Sequence, residues 1–517
     1  MQKLVTGGCV FAMVVLAGGV QAQMVEVAGL NGLNASSSPL SLVPGGLPNF
    51  PEAKYTNFGN KLYRTATTNQ WYTVATTNTG VGAQDQVFVL GTGRTTQVLA
   101  QEGVTSIGTN PFTGLEEFIN FSGLAVPRMN DGGRWTMGFG PAGATATDQR
   151  LATWNGSAFT LVRPGEAAPG GNLYTGSFNG ANIAADGTVS FMAAVGPVQG
   201  TSESAFSGDS VLIDMFNSAP TGQSTPTDQN WQDLDTNGLM VDDSGTHYIA
   251  LGKVGVDTTI DQVVVVDGVV RIQEGSVLPG SGFTSPVSQM ESVSGGGIWM
   301  DPDGTWFAMG RNADAVRWVV RNGVVIARSG APVIPGSTEL WETPFRAARG
   351  AAGGHYVVMG NSNASSLTDD IIVADGTTII ARESQPVDLD ADGTADNSLY
   401  VHLMQEQAVL LDDGYCYFAS RLKSDPAATA SAGGSNNASL LRVRAFTPVT
   451  PPSCGPQDFN GDGDSGTDQD IEAFFACLGG TCCDTCWHAG ADFNGDGDIG
   501  TDQDIEAFFR VLGGGTC

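Results

Sequence analysis

Near the C-terminus the run Asp458-Phe459-Asn460-Gly461-Asp462-Gly463-Asp464 recurs 34 residues later as Asp492-Phe493-Asn494-Gly495-Asp496-Gly497-Asp498. Oxygen-bearing side chains at positions 1, 3 and 5, followed by glycine at 6, are the arrangement a calcium loop needs. The hard cation takes six to eight oxygen ligands, and the glycine allows the chain to bend sharply around it. Each loop is followed by apolar residues at helical spacing, Ile471, Phe474, Phe475 and Leu478 in one copy and Ile505, Phe508, Phe509 and Leu512 in the other. That period predicts an amphipathic helix after each loop. Position 12, where such a loop is normally closed by an acid, holds Gln469 or Gln503, flanked by Asp468 and Asp470 or by Asp502 and Asp504. Either the loop is one residue longer and closed by Asp470 and Asp504, or the preceding Asp468 and Asp502 close it.

A second oxygen-rich run, Asp388-Leu389-Asp390-Ala391-Asp392-Gly393-Thr394-Ala395-Asp396, places acids at positions 1, 3, 5 and 9 around a glycine. The same chemistry predicts a Ca²⁺ site there, structural in role, because ligation of clustered carboxylates turns binding energy into folding energy. Asp233-Leu234-Asp235-Thr236-Asn237-Gly238 is a weaker version without an acid at position nine, although Asp242 follows. Catalytic patterns are sparse. The four histidines are scattered, and there is no Gly-x-Ser-x-Gly elbow, phosphate-binding Gly-x-x-x-x-Gly-Lys loop or His-Glu-x-x-His. Carboxylate pairs for glycoside hydrolysis are set by space and not by spacing, and no pair stands out.

These loops need elements to hold them. A turn, ending in glycine in all but the first copy, then an aromatic-rich strand, occurs seven times at a mean spacing of about 57 residues. The copies lead into Trp71-Tyr72, Trp135, Phe191, Tyr248, Trp306-Phe307, Tyr356 and Tyr417. Asp131, Asp186, Asp303 and Asp413 precede several of the glycines, and further Asp-Gly or Asn-Gly pairs (Asp267-Gly268, Asn322-Gly323, Asp375-Gly376) separate later apolar runs. Such pairs are hairpin signals. Units of three or four strands that cannot bury both faces alone predict a β-propeller of about seven blades, with six or eight also compatible and a tandem sandwich or solenoid as the alternative. His247 and His355 share a repeat register with Trp71 and Trp306, and are read as blade residues.

The expected organisation is a signal peptide over 1–22, a Ser/Gly/Asn/Pro-rich leader over 23–60, the repeat domain over 61–446, a Pro-rich linker over 447–457 and the calcium module over 458–517. The signal is read from Lys3, the apolar run Leu4 to Val20 and the small-x-small site Val20-Gln21-Ala22. It predicts a protein secreted to the cell surface or medium, or to a periplasm. No later segment approaches the ~20 apolar residues of a membrane span. A net charge of −30 argues against nucleic acid as a partner. Acids concentrate after Cys454, with thirteen Asp or Glu against Arg510 alone. Six cysteines share that region (Cys454, Cys477, Cys482, Cys483, Cys486, Cys517), and an oxidising compartment makes disulfides the expectation over zinc at Cys483, Cys486 and His488. Cys416 is expected as a buried thiol.

The tandem loop–helix pattern resembles a type I dockerin, the two-repeat calcium module that docks on cohesin domains in polysaccharide-degrading assemblies. The run from Asp388 to Asp396 resembles the calcium loops of integrin-type propellers. The repeats over about 60–445 resemble, through loose motifs, those of exported bacterial propeller-like proteins. These resemblances imply a calcium-binding, non-enzymatic protein of extracellular recognition or scaffolding, with a cohesin-like or cell-surface partner. The alternatives are a carbohydrate-active hydrolase or lyase on a dockerin, with a polysaccharide substrate, and a purely structural envelope protein.

Overall fold

The structure, a computed structural model, describes residues 24–515 except 31, 33–37, 60, 112–113, 122–125, 141–148, 197–202, 216, 225–227, 292–296, 397, 430–437, 449–453, 484, 488–490 and 495–499, and the side chains of 236–237. The signal-peptide reading, Asp496, Asp498, His488 and Cys517 lie outside the described residues. The chain divides into two compact units, Met1–Phe446 and Thr447–Cys517.

The first unit is a seven-bladed β-propeller. Seven sheets of four or five strands, antiparallel but for one pair in blade 7, follow one another in sequence, with a separate two-stranded hairpin (Ser106–Thr109 with Glu116–Phe118) between the first two. The innermost strands of successive blades lie side by side. Arg128–Met129 and Trp135–Phe139 of blade 2 meet Tyr174–Ile183 of blade 3, which meets Trp231–Val241 of blade 4. Trp341–Gly350 of blade 6 meets Tyr400–Leu410 of blade 7, which meets Leu62–Arg64 of blade 1 and closes the ring.

All seven aromatic motifs fall on the same element, the second strand of each blade: Trp71–Thr77, Trp135–Phe139, Val189–Val195, Tyr248–Val254, Trp306–Asn312, Tyr356–Ser362 and Tyr415–Lys423. These strands are flanked on both sides within the sheet and packed on both faces, so apolar residues run almost continuously along them. Trp71, Phe307 and Phe418 on them are fully buried, as are Phe88 and Trp318 on the adjoining third strands. The predicted Asp-Gly and Asn-Gly hairpins connect the third and fourth strands. Both central residues have positive φ at Asp267/Gly268 (52°, 77°), Asn322/Gly323 (47°, 84°) and Asp375/Gly376 (50°, 63°), the backbone of a type I′ turn.

The turns between first and second strands have a different task. They link blade to blade around one mouth of the ring. Asp131 accepts from Thr67 N and Oγ1, and Asn130 donates to Ala184 O at 2.8 Å. Ala185 N donates to Asp243 O, Asp243 N to Pro302 O, and Arg321 to Gly354 O at 2.8 Å. Asp412 Oδ1 accepts from Ala352 N at 2.9 Å and Arg64 at 2.6 Å, and Asp413 N donates to Asn69 Oδ1 at 3.0 Å. Every seam between neighbouring blades is crossed by this belt.

Residues 23–60, expected as a leader, instead complete the ring. Val25–Gly29 inserts into blade 7 between Ser439–Arg444, with which it pairs antiparallel, and Val387–Asp388, with which it pairs parallel. Val25, Val27 and Ala28 are fully buried there, worth about 1.5–3 kcal/mol for each valine. Composition hid this strand, since it is only five residues long and is followed by Ser- and Pro-rich chain. The weaker run from Asp233 lies within the bulged inner strand Trp231–Val241, where Asp233 is exposed; Asp242 accepts from Thr246 N and His247 N at 3.0 Å each.

The belt is strongest at the closing seam, where Arg64 is nearly buried and Asp412 serves two donors. Asp412→Ala leaves that guanidinium without its carboxylate and is expected to cost about 1–3 kcal/mol, discounted for the partial exposure of Asp412. Urea unfolding of the full chain measures it; a change within about 0.5 kcal/mol would show that the seam does not depend on this residue.

Candidate metal centres

The propeller loop begins on the strand Val387–Asp388, so its first acid is fixed by sheet pairing before the loop turns. Asp388 is fully buried, and its two oxygens accept from Ala391 N at 2.6 Å and Gly393 N at 2.9 Å. Asp390 Oδ1 accepts from Asp392 N at 3.2 Å, and Asp392 Oδ1 from Thr394 N at 2.7 Å. Asp396 Oδ2 reaches back to Leu389 N at 2.6 Å and draws the loop closed. Gly393, with φ 87°, takes the left-handed turn that the sequence assigned to it. The result brings oxygens of Asp388, Asp390 and Asp392 within 4.8 Å of one another. Among the described residues no other group of three acidic, histidine or cysteine side chains converges in this way. Like charges brought this close repel one another, an effect that solvent screens at the exposed Asp390 and Asp392.

The first loop of the C-terminal unit is wired in the same manner. Asp458 accepts from Asp462 N at 3.1 Å and Gly463 N at 3.0 Å, Asn460 from Asp462 N at 2.9 Å, and Asp462 from Asp464 N at 2.9 Å. The first acid accepts from the glycine at position 6, the third position from the fifth, and the fifth from the seventh, as in the propeller loop. Helix α1 (Asp468–Leu478) follows this loop, and α2 (Asp502–Leu512) follows the second. Thr467 and Thr501 cap the two helices, with Asp470 and Asp504 three residues on completing capping boxes.

That register separates the two closing candidates. Asp470 and Asp504 are fully buried and turn back into the loop, accepting from Asn460 N at 3.2 Å and Asn494 N at 3.1 Å, while Asp468 and Asp502 are exposed on the first helical turn. Burial would raise the Asp470 pKa, but N–H groups of Thr467, Asn460 and Phe459 outweigh it and hold the carboxyl below its usual range. Asp492 and Asn494 begin the second loop in the equivalent positions. The helices pack through Phe474 and Phe508, stacked at 4.1 Å, with Phe459 and Phe493 buried around them. Cys477–Cys482 and Cys483–Cys486 are disulfides and Cys454 is disulfide-bonded, so the two cysteines considered for zinc are joined to each other. Cys416 is a buried free thiol.

Sequence reasoning missed the axis of the ring. Arg128 lies 3.6 Å from the ring centroid of Tyr63, Tyr63 stacks on Trp299 at 5.5 Å, and Arg349 lies 3.7 Å from Trp299. This four-tier column joins blades 2, 1, 5 and 6. Only proximity in space reveals it. Asp301 lies beside it, fully buried and bonded to Trp299 Nε1 at 2.7 Å. A cavity of about 50 Å³ bordered by Arg64, Arg128, Asp242 and Asp243 adjoins the column, room for a few waters. His247 and His355 do share a register. Each bonds through Nδ1 to the aspartate of the facing hairpin, Asp267 at 2.9 Å and Asp375 at 2.8 Å.

No family model matches the chain, and no curated protein does. Solved structures similar to it include a puromycin-hydrolysing peptidase of Mycobacterium tuberculosis (12% identity, TM-score 0.36, 74% of this chain and 50% of that one). Two others are a luciferin-regenerating enzyme (9%, 0.25, 76% and 95%) and PorZ, a surface component of the type IX secretion system of Porphyromonas gingivalis (11%, 0.31, 74% and 52%). The chain spans about half the length of the first. At these identities and scores the likenesses add nothing to the fold that the sheet topology defines.

Burial raises the Asp301 carboxyl to about 6, against the opposing pull of Arg64 and Trp299. A raised carboxyl stabilises the fold fully below its unfolded value near 3.9, and that contribution is lost as pH rises toward 6. Asp301→Asn is therefore expected to gain roughly 2–3 kcal/mol relative to the native chain between pH 4 and pH 7. Denaturant unfolding at the two pH values checks it, and parallel curves for the two proteins would contradict it.

Proposed function

We propose that this chain is a calcium-stabilised exported propeller that recognises or scaffolds a component at the cell surface without catalysing a reaction. Its C-terminal helical module is the attachment point, for a cohesin-like or other surface protein. The observation that carries the reading is the common wiring of the Asp388 and Asp458 loops. Two segments in unrelated contexts fold the same oxygen donors around a glycine bend, and one of them gathers three carboxylates that need a counter-ion. Asp388, Asp390, Asp392 and Asp396 would hold one Ca²⁺. Asp458, Asn460, Asp462, Asp464 and Asp470 would hold a second, and Asp492, Asn494, Asp496, Asp498 and Asp504 a third.

Calcium titration of the chelator-stripped full chain is expected to give three sites, falling to two in Asp390→Asn/Asp392→Asn. At a hundredfold excess over Kd each ion adds about 2.7 kcal/mol, so the native chain melts a few degrees lower in chelator. Unchanged melting with and without calcium would overturn the reading.

A further inference from the structure

Between blades 5 and 6, on the outer side of the ring, lies a cleft of about 410 Å³ lined mainly by apolar side chains, within the range of about 300–1,000 Å³ typical of small-molecule sites. Val358 and Val373, from the second and third strands of blade 6, and Trp341, from its first, are buried at its base together with Ala327 and Val333 of blade 5. The outermost strand of blade 5 (Val324–Arg328) and the arch that follows it supply half-buried Val325, Ile326 and Ile334. The arch is held over the cleft by backbone bonds, Gly330 N to Trp341 O and Trp341 N to Ala331 O, both 2.8 Å, so the wall is built by the fold.

One charged side chain lines this cleft. Arg328 is exposed and rests over the Phe283 ring at 5.6 Å. Among the described residues it has no carboxylate partner, although arginines on neighbouring strands are paired, Arg317 with Glu291 at 2.6 Å and Arg382 with Glu339 at 2.8 Å. In a chain of net charge −30, an unpaired guanidinium beside an apolar hollow selects an anion joined to an apolar body.

We infer that this cleft binds a small amphipathic carboxylate, a free aliphatic acid of medium chain length, with its hydrocarbon between Val325, Ile334, Trp341 and Val373 and its carboxylate on Arg328. The inference is independent of the metal loops. The guanidinium fork donates two parallel hydrogen bonds to a carboxylate, and each methylene that leaves water adds to the binding.

Isothermal titration of the full chain in calcium with octanoate, octylamine and acetate tests it. Octanoate is expected to bind, octylamine and acetate to bind at least tenfold more weakly. Arg328→Gln, a surface change, is expected to weaken octanoate about tenfold or more, and Ile334→Asp to abolish its binding while the melting temperature stays near that of the native chain. Absence of octanoate binding, equal binding of octylamine, or an unchanged affinity in Arg328→Gln would each overturn the proposal. Should Ile334→Asp unfold, the Arg328→Gln and head-group comparisons decide it alone.

Discussion

A ring of blades is locked shut when its last sheet is finished by the other end of the chain, and much of this structure follows from that constraint. Blade 7 takes its outer strand from Val25–Gly29, some 400 residues upstream of the strand it pairs with. The contact is as non-local as the chain allows, and its loop-closure entropy must be offset by local gains. They are visible in the buried valines, in Glu26 paired with Arg442, and in the belt that crosses every seam.

The acidic loop at Asp388 belongs to the same closure. Val25 and Glu26 face Val387 and Asp388 in parallel register, so the strand that anchors the loop also clasps the closing strand. Arg94, at the outer hairpin of blade 1, donates to Leu389 O across the seam. The cation proposed for this loop would therefore neutralise a repulsive cluster at the place where blade 7, the N-terminal strand and blade 1 meet. The axial column of Arg128, Tyr63, Trp299 and Arg349 holds the ring from inside in a comparable way, through polarisable faces and buried guanidinium groups.

Much of this was legible in the sequence because it rests on local rules. The Asp-Gly and Asn-Gly hairpins, the aromatic second strands and the helices after each acidic loop are fixed by φ preferences and short periods, and each falls where its residues indicate. What was hidden depends on contacts between distant residues. A five-residue strand carries too few apolar positions to register, and the turn aspartates that looked like hairpin formers serve equally as ties between blades. The choice between Asp468 and Asp470 was open in one dimension; in the fold the capping box turns Asp470 inward and leaves Asp468 exposed.

Native-state hydrogen exchange of Val25–Gly29 in the calcium-loaded full chain tests the closure most directly. The account predicts that these amides exchange only through the opening that also releases Ser439–Arg444, with the same free energy for both strands. Rapid exchange of Val25–Gly29 while Ser439–Arg444 stays protected would contradict it, because the N-terminal strand would then be an appendage and not the closing strand of the ring.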